Sequence, residues 1–168
     1  MRTSSHFAIR PALPEEKPLV AAMLQPYAAE LARFPDNHPQ PRDESGNYLY
    51  PYLDLYWREP ARFPYLFLAD EKTAGFALVR HTGKHWEMAE FYVKHESRRR
   101  GLGRICATLV VANHPGAWYI LFNKANRAGR ALWTSLAEDL SGGRSLPGEA
   151  DAFHDFVAFT AGKDTRTT

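Results

Sequence analysis

The stretch Arg98-Arg99-Arg100-Gly101-Leu102-Gly103-Arg104 decides how the rest of the chain is interpreted. Before it, the alternating residues 86–94 predict a β-strand. After it, apolar residues recur at helical spacing from residue 102 to about residue 113. A glycine loop at this junction exposes backbone N–H groups at the positive end of a helix dipole, where an anion is stabilised. The stretch therefore predicts a phosphate or pyrophosphate site.

Residues 98–104 allow four other interpretations: a solvated patch, a Walker loop, a dinucleotide fingerprint and a nucleic-acid contact. On the charge run alone, a solvated surface patch is favoured, but the glycine spacing and the position before a helix favour the phosphate site. A Walker loop needs Gly-Lys-Ser or Gly-Lys-Thr, and a dinucleotide fingerprint needs a third glycine where Cys106 stands, so both motifs fail. Nucleic-acid binding through residues 98–104 needs a longer basic and aromatic surface. No nucleic-acid partner is therefore expected.

Composition limits the function classes further. With 168 residues, of which 45% are hydrophobic, residues 1–168 are expected to form a single domain with a real core. The 21 basic and 19 acidic residues nearly balance, so no global field attracts nucleic acid or membrane. The one cysteine excludes an internal disulfide framework, and no metal site is expected. Since no segment approaches about 18 consecutive apolar residues, the chain is expected to be cytoplasmic and not bound to a membrane.

The order of elements indicates an α/β (α+β) domain around a mixed sheet. Strands are predicted at residues 6–10, 65–69, 74–80, 86–94, 118–122 and 153–159, and the three strands between 65 and 94 form an antiparallel meander. Helices are predicted over residues 14–31, 101–113 and 126–137, with Pro26 expected to kink or split the first. Residues 34–62 are irregular apart from a helical turn or two at 54–59, and residues 141–148 form a glycine-rich linker.

The motif Arg98-x-x-Gly101-x-Gly103 resembles the pyrophosphate loop of the GNAT superfamily of N-acyltransferases, which bind acetyl-coenzyme A. The resemblance covers most of the chain in element order. It implies a mostly antiparallel central sheet flanked by helices, with acetyl-coenzyme A as cosubstrate. It also implies that the amides of residues 99–104 grip the pyrophosphate and that the strand at 90–93 pairs with the pantetheine arm. The implied cofactor-binding residues are Phe91, Tyr92, Val93, Arg98, Arg99, Arg100, Gly101, Leu102, Gly103, Arg104, Asn126 and Trp133.

A second cofactor segment is implied by Asn126-x-x-Gly129-x-x-x-Trp133, which resembles the family pattern Asn-x-x-Ala-x-x-x-Tyr. By this likeness Asn126 makes a polar contact on the cofactor side. Trp133 stands where many members have a tyrosine near the thiol leaving group, and an indole N–H is only a weak donor that supplies no phenolic proton. The usual Gly-Phe after this helix is also missing, since residues 137–139 read Ala-Glu-Asp.

Glu90 is the first candidate for the catalytic base. A protonated amine has no free lone pair, so attack on a thioester needs a base within reach, directly or through a water. Equally open is that Glu90 only pairs with a nearby arginine or a cofactor amide. Glu87 is expected to face the other side of the strand because of its odd separation. His85 and His95 are expected at the surface, and a backbone N–H near Val93 is the candidate oxyanion donor.

The acceptor side allows two interpretations. Residues 48–57 carry several aromatic side chains, and with Asp36, Asp43, Glu44 and Asp54 they form either a mouth for a cationic amine or an apolar cap with solvated acids. The predicted function is N-acetyl transfer to a primary amine of a small molecule or peptide. The alternative is a non-catalytic acyl-coenzyme A binder. A homodimer is possible, with Trp118 and Tyr119 as either interface or core residues.

Overall fold

The structure, a computed structural model, describes residues 5–162; residues 1–4 and 163–168 lie outside it. Within this range the helices are α1 (Lys17–Leu31), α2 (Leu102–Ala112) and α3 (Arg127–Leu140). The strands are β1 (Phe7–Pro11), β2 (Arg62–Ala69), β3 (Lys72–His81), β4 (Trp86–Val93), β5 (Gly116–Asn123), β6 (Leu146–Glu149) and β7 (His154–Ala161). Short 3-10 turns occupy Pro14–Glu16, Leu53–Trp57 and His95–Ser97.

The strands form one mixed sheet in the order β1-β2-β3-β4-β5-β7-β6. All neighbouring pairs are antiparallel except β4 and β5, which are parallel. These two strands pair only at Trp86 with Trp118 and at Glu87 with Tyr119. The prediction of a mixed, mostly antiparallel sheet with flanking helices is confirmed, and the sheet opens into a wedge between β4 and β5.

Each face of the sheet has its own hydrophobic core. On one face α2 and α3 cover a cluster that includes Phe67, Val110 and Trp118. On the other face α1 and the turn at Leu53–Trp57 cover a cluster that includes Leu66 and Phe76. Trp118 is only 1% exposed and therefore belongs to the core, while Tyr119 is partly buried on the opposite face and stacks on another ring.

The face of the sheet that Glu87 occupies, relative to Glu90, differs from the prediction. The β3–β4 register shifts between Leu78, which pairs with Glu90, and Val79, which pairs with Met88. This β-bulge adds one residue to β4 and reverses the alternation of its side chains. Glu87 therefore lies on the same face as Glu90, and the expectation that the two face opposite sides is wrong.

Helix α1 runs without a break through Pro26, where a kink or split was expected. The Pro26 ring is exposed, and the helix buries Val20, Met23, Leu24 and Ala28 against the sheet. Proline removes one backbone hydrogen bond from a helix. Tertiary packing of an apolar face supplies most helix stability in proteins and offsets that loss.

The glycine-rich segment after α3 was expected to be a linker, but it contains the edge strand β6. Pro147 and Gly148 lie in this strand, and an edge position tolerates both residue types. A Cβ at Gly148 would lie 2.5 Å from the Phe156 ring, so this strand needs glycine to pack on β7. None of the helices in residues 5–162 is long and apolar enough to span a lipid bilayer.

Candidate active site

The predicted functional residues converge where β4 and β5 diverge. Pairing between the two strands ends at Glu87 and Tyr119, whereas β4 stays paired with β3 as far as Val93. Beyond Glu87, the edge of β4 that faces the wedge has backbone groups without a β5 partner. Such an edge binds an extended ligand as it would an added strand. The segment 90–93 lies on this edge.

The loop after β4 presents a run of unpaired backbone donors. None of the N–H groups from Arg99 to Arg104 has a hydrogen-bond acceptor within residues 5–162. The amide of Ile105 is the first to bond inside the helix, to the Gly101 carbonyl at 3.1 Å. Left-handed backbone at Arg99 (φ 61°) and Gly101 (φ 77°) curves the loop, and such conformations form concave anion sites. The loop therefore has the geometry of an anion site at the positive end of α2.

The two glycines of the loop have different reasons to be glycine. Gly101 adopts a positive φ and caps α2, a conformation that costs other residues energy. Gly103 is helical, and a Cβ there would meet Val93 and Phe91 at the ordinary distances of 3.6 and 3.9 Å. Neither conformation nor crowding within the chain demands glycine at 103, which fits a position that a ligand approaches closely.

The Arg98 side chain is engaged within the protein. Its Nε donates to the Val93 carbonyl at 2.8 Å, and its Nη2 donates to both carboxylate oxygens of Glu30 at 2.8 Å. Its guanidinium also lies 5.6 Å from the Tyr92 ring centroid. Arg98 thus fastens α1 to the end of β4, and its guanidinium is not free for a phosphate. Arg98 leads directly into residues 99–104, whose free N–H groups make them the amide loop.

Two of the other arginines also have partners. Arg100 lies 3.7 Å from the Asp70 carboxylate, and Arg104 pairs with Asp139 and donates to Ser135 at 2.7 Å. Arg99 is exposed, and within the described part of the chain it forms no ion pair. Arg99 is therefore the guanidinium of this loop that remains available to an outer phosphate.

Asn126 begins α3 and caps it. Its Oδ1 accepts a hydrogen bond from the Gly129 N–H at 2.9 Å, which satisfies one of the free amides of the helix start. A Cβ at position 129 would lie 2.7 Å from Asn126 Nδ2, which explains why glycine replaces the usual alanine. The Nδ2 group is left as the donor that Asn126 offers to a ligand.

Trp133 lies beneath the wedge with its ring edge-on to Phe91, at a centroid distance of 4.9 Å. It is 7% exposed. The other tryptophans, Trp57, Trp86 and Trp118, each donate to a backbone carbonyl. The Trp133 indole N–H has no such partner among residues 5–162, so it is available as a donor.

Glu90 projects from β4 onto the face covered by α1, where it is partly buried. Tyr27 of α1 donates to its Oε2 at 2.6 Å. Burial raises the pKa of Glu90 to about 7, against the hydroxyls of Tyr27 and Tyr50 and the charge of Arg80, which lower it. The carboxyl is thus poised to exchange a proton near neutral pH. Sequence reasoning missed Tyr27, since only the packing of α1 on β4 brings the two residues together.

The other acidic and histidine candidates lie elsewhere. Glu87 pairs with Arg80 at 2.6 Å and with His85 at 3.2 Å. His85 also stacks on Tyr119, so the two partners of its ring are Glu87 and Tyr119, and it does not contact Glu90. His95 is exposed in a 3-10 turn. Glu90 is therefore the candidate base that the structure places beside the wedge.

An acceptor mouth at residues 48–57 stays a prediction, since part of this aromatic segment is buried and part is exposed. Tyr56 is 2% exposed in the core under α1, and its Oη is the fully buried side-chain oxygen without a hydrogen-bond partner in the described range. Tyr50 packs against the same cluster and influences Glu90. Asp54 pairs with Lys17, and Asp43 binds the backbone of its own loop. Leu53 and Tyr56 thus cap the sheet, Tyr52 is 56% exposed, and Tyr50 is the member that faces the carboxylate of Glu90.

Comparison with known protein families identifies the chain. The model of the acetyltransferase (GNAT) family matches residues 25–137, a range that includes Glu90, the amide loop and α3 as far as Trp133. This chain belongs to the GNAT acetyltransferase family. The resemblance noted from the loop motif is confirmed, and so is acetyl-coenzyme A, the cosubstrate of this family. No curated protein sequence matches the chain.

Solved structures of GNAT proteins share the fold at low sequence identity. The ribosomal-protein-S18-alanine N-acetyltransferase of Escherichia coli is 12% identical, with a TM-score of 0.60 over 97% of this chain and 99% of that one. The ribosomal-protein-S5-alanine acetyltransferase of Vibrio fischeri is 12% identical, with a TM-score of 0.67 over 97% and 96%. The spermidine N-acetyltransferase of Vibrio cholerae, in complex with CoA and spermine, is 8% identical, with a TM-score of 0.64 over 92% and 95%.

The chain's own residues fit the cosubstrate of this family. The free amides of residues 99–104 match a diphosphate, and the open edge of β4 matches an extended pantetheine arm. Gly103 leaves the start of α2 without a side chain over these amides. The open edge of β4 therefore leads directly into the free amides of the loop.

Proposed function

We propose that the chain is an N-acetyltransferase that transfers the acetyl group of acetyl-coenzyme A to a primary amine by direct attack, with Glu90 as the base. The observation that carries the proposal is the position of Glu90. It is a partly buried carboxyl with a pKa of about 7, on the strand whose open edge leads into the amide loop. That combination supplies a base and a cosubstrate site side by side.

In this proposal each predicted cofactor residue has a defined task. The backbone edge of Phe91, Tyr92 and Val93 pairs with the pantetheine arm. The amides of Arg99, Arg100, Gly101, Leu102, Gly103 and Arg104 bind the diphosphate, and the Arg98 side chain holds this loop on β4 and α1. Asn126 donates through Nδ2, and a backbone N–H near Val93 stabilises negative charge on the carbonyl oxygen.

Bound acetyl-coenzyme A supplies a thioester: its C–S bond breaks as the amine nitrogen forms the new C–N bond, and the sulfur keeps the electron pair. Glu90 accepts the proton that the ammonium form of the amine loses before attack, and the second proton, which the nitrogen loses as the amide forms, passes to solvent. Because Glu90 is ionised above a pH of about 7, the rate is expected to rise with pH through that range. The sulfur takes up a proton from solvent, and the Trp133 indole N–H donates a hydrogen bond to it without giving up its proton.

The acceptor class rests on the chemistry of the base and on the neighbours of the fold. A carboxylate base suits a primary amine, whose ammonium form must lose a proton before the nitrogen lone pair can attack. The neighbours named above act on alanine of ribosomal proteins and on spermidine. These acceptors share a primary amine, and we extend only that shared group to this chain.

The test is turnover by the E90Q variant on a panel of primary amines, with release of free thiol as the signal. The panel contains alanine-initiated peptides, polyamines and aromatic amines. We expect wild-type protein to acetylate at least one of them and E90Q to lose about 100-fold or more in kcat, with acetyl-coenzyme A affinity retained. E87Q is the matched control, since it removes a carboxylate from the same face and strand and is expected to keep its activity.

The second candidate function is a non-catalytic acyl-coenzyme A binder of the same fold, favoured by the tryptophan at position 133 in place of a tyrosine. It predicts that acetyl-coenzyme A binds and that no amine of the panel releases thiol. Equal activity of E90Q and wild type contradicts the role of Glu90. Absence of turnover with retained binding favours the binder.

A further inference from the structure

We propose that Tyr27 is a positioning residue for the acetyl transfer: its hydroxyl holds Oε2 of Glu90 and so presents Oε1 to the proton of the acceptor amine. The inference rests on the proposed role of Glu90 as the base. Tyr27 acts through Glu90 and does not itself touch the reacting atoms.

The contact is short and directional. Tyr27 Oη lies 2.6 Å from Glu90 Oε2, within the range of a hydrogen bond from a hydroxyl to a charged oxygen. The donor comes from α1 and the acceptor from β4, so the bond fixes the carboxylate across the interface between a helix and the sheet. A carboxylate held at one oxygen has lost the freedom to rotate, and its other oxygen keeps a constant direction.

The ring of Tyr27 is itself held in place. It packs edge-on against Phe76 at a centroid distance of 5.7 Å and against Tyr92 at 5.7 Å. Burial and the charge of Glu90 keep the pKa of Tyr27 well above its usual range, so the hydroxyl remains a donor at every working pH. A rigid donor that never loses its proton is suited to orient a base.

The same helix also holds the cosubstrate loop. Glu30 lies one helical turn after Tyr27, which places the two side chains on one face of α1. Glu30 binds Arg98 at 2.8 Å, while Tyr27 binds Glu90. One face of α1 thereby fixes the base and the start of the amide loop relative to each other.

The alternative is that Tyr27 only fills space in the core. Tyr56 provides the matched comparison, because it is a buried phenol in the same cluster whose hydroxyl has no hydrogen-bond partner among residues 5–162. A filling role predicts that Y27F and Y56F behave alike. A positioning role predicts that only Y27F changes the behaviour of Glu90.

The first experiment titrates Glu90 in the free protein by carbon-13 NMR of labelled glutamate, with E90Q to assign the signal. The hydrogen bond from Tyr27 lowers the pKa of Glu90, and the Tyr50 hydroxyl and the charge of Arg80, which both variants keep, lower it as well. We therefore expect the midpoint of titration to move to higher pH in Y27F and to stay at its wild-type value in Y56F. An unchanged midpoint in Y27F overturns the proposal. This measurement needs no acceptor, so its result is independent of whether turnover is found.

The second experiment uses the amine that wild-type protein acetylates best in the panel. We expect Y27F to lower kcat by about 10-fold or more, the effect of one lost hydrogen bond to a charged group, with little change in KM and with the acid limb of kcat/KM shifted to higher pH. In the E90Q background Y27F is expected to add no further loss. Equal fold losses in both backgrounds indicate a structural role and contradict the proposal.

Discussion

At the residue scale, Glu90 combines a functional position with an energetic cost. Burial disfavours the charged form of a carboxyl, and it is the largest influence on the pKa of Glu90. The hydrogen bond from Tyr27 offsets only part of this, since the pKa remains raised. The proposed base, with a pKa near neutral pH, is therefore held at the expense of stability, as is common for catalytic groups.

That cost predicts a pH-dependent gain of stability in E90Q. The folded-state pKa of about 7 lies above the reference value of 4.5, so the contribution of Glu90 to stability is fully present below pH 4.5 and is lost as the pH rises through about 7. We expect E90Q to be more stable than wild type at pH 8, by about 1–3 kcal/mol, and not at pH 4.5. Urea unfolding at both pH values measures this, and an equal change at the two would refute it.

The residue scale also shows what the sequence can and cannot reveal. Glu90 is recognisable as a candidate because it precedes the glycine loop on a predicted strand. Its partner Tyr27 is not, because no local pattern encodes which helix side chain reaches a strand far away in the chain. The predicted face of Glu87 was wrong for a related reason. A bulge after Met88 shifts the register, and a strict alternation of side chains does not anticipate a bulge.

At the element scale, the start of α2 and the face of α1 form the site together. The amides at the start of α2 stay free of protein acceptors, while Arg98 ties the loop to Glu30 of α1. The loop motif alone predicted the amides. It did not predict that most of the arginine side chains bind protein carboxylates, because ion-pair partners such as Asp70 and Asp139 are set by tertiary packing.

The two glycines of the loop predict opposite effects of alanine. G101A places a Cβ at a positive φ and is expected to cost about 1–2 kcal/mol of stability. In G103A the added Cβ meets only ordinary contacts, and alanine gains about 1 kcal/mol of helix propensity over glycine. This Cβ would lie beside the amides that are proposed to bind the diphosphate. We expect G103A to be as stable as wild type or more so and to bind acetyl-coenzyme A more weakly.

Urea unfolding of the free proteins and calorimetry with acetyl-coenzyme A measure both quantities. G101A serves as the control for loss of stability. Full acetyl-coenzyme A affinity in G103A would contradict a close approach of the ligand to this helix start.

The missed strand β6 is also understood at this scale. Its sequence is Leu146-Pro147-Gly148-Glu149, and both proline and glycine are disfavoured in strands. It forms because β7 offers a free edge and Gly148 fits beneath the Phe156 ring. An edge strand of this kind is specified by its neighbour rather than by its own propensity.

At the scale of the whole molecule, the wedge between β4 and β5 is what turns a sheet into a binding site. Two parallel pairs hold the strands together at Trp86 and Glu87, and within residues 5–162 no further pair joins β4 to β5 beyond them. The order of strands and helices, and the meander from β2 to β4, were predictable from alternation and turns. The divergence between β4 and β5 was not visible in any local pattern of the sequence.

The central claim is that the main-chain amides of Arg99 to Arg104 bind the diphosphate of acetyl-coenzyme A. Isothermal titration calorimetry at low salt tests it most directly. Acetyl-coenzyme A and S-acetyl-4′-phosphopantetheine, which keeps one phosphate and no nucleoside, are each compared against S-acetylpantetheine, which has neither phosphate nor nucleoside. The account predicts saturable binding of acetyl-coenzyme A and affinity for S-acetylpantetheine that is lower by about 100-fold or more. Equal affinities, or no heat with acetyl-coenzyme A and well-folded protein, would contradict it.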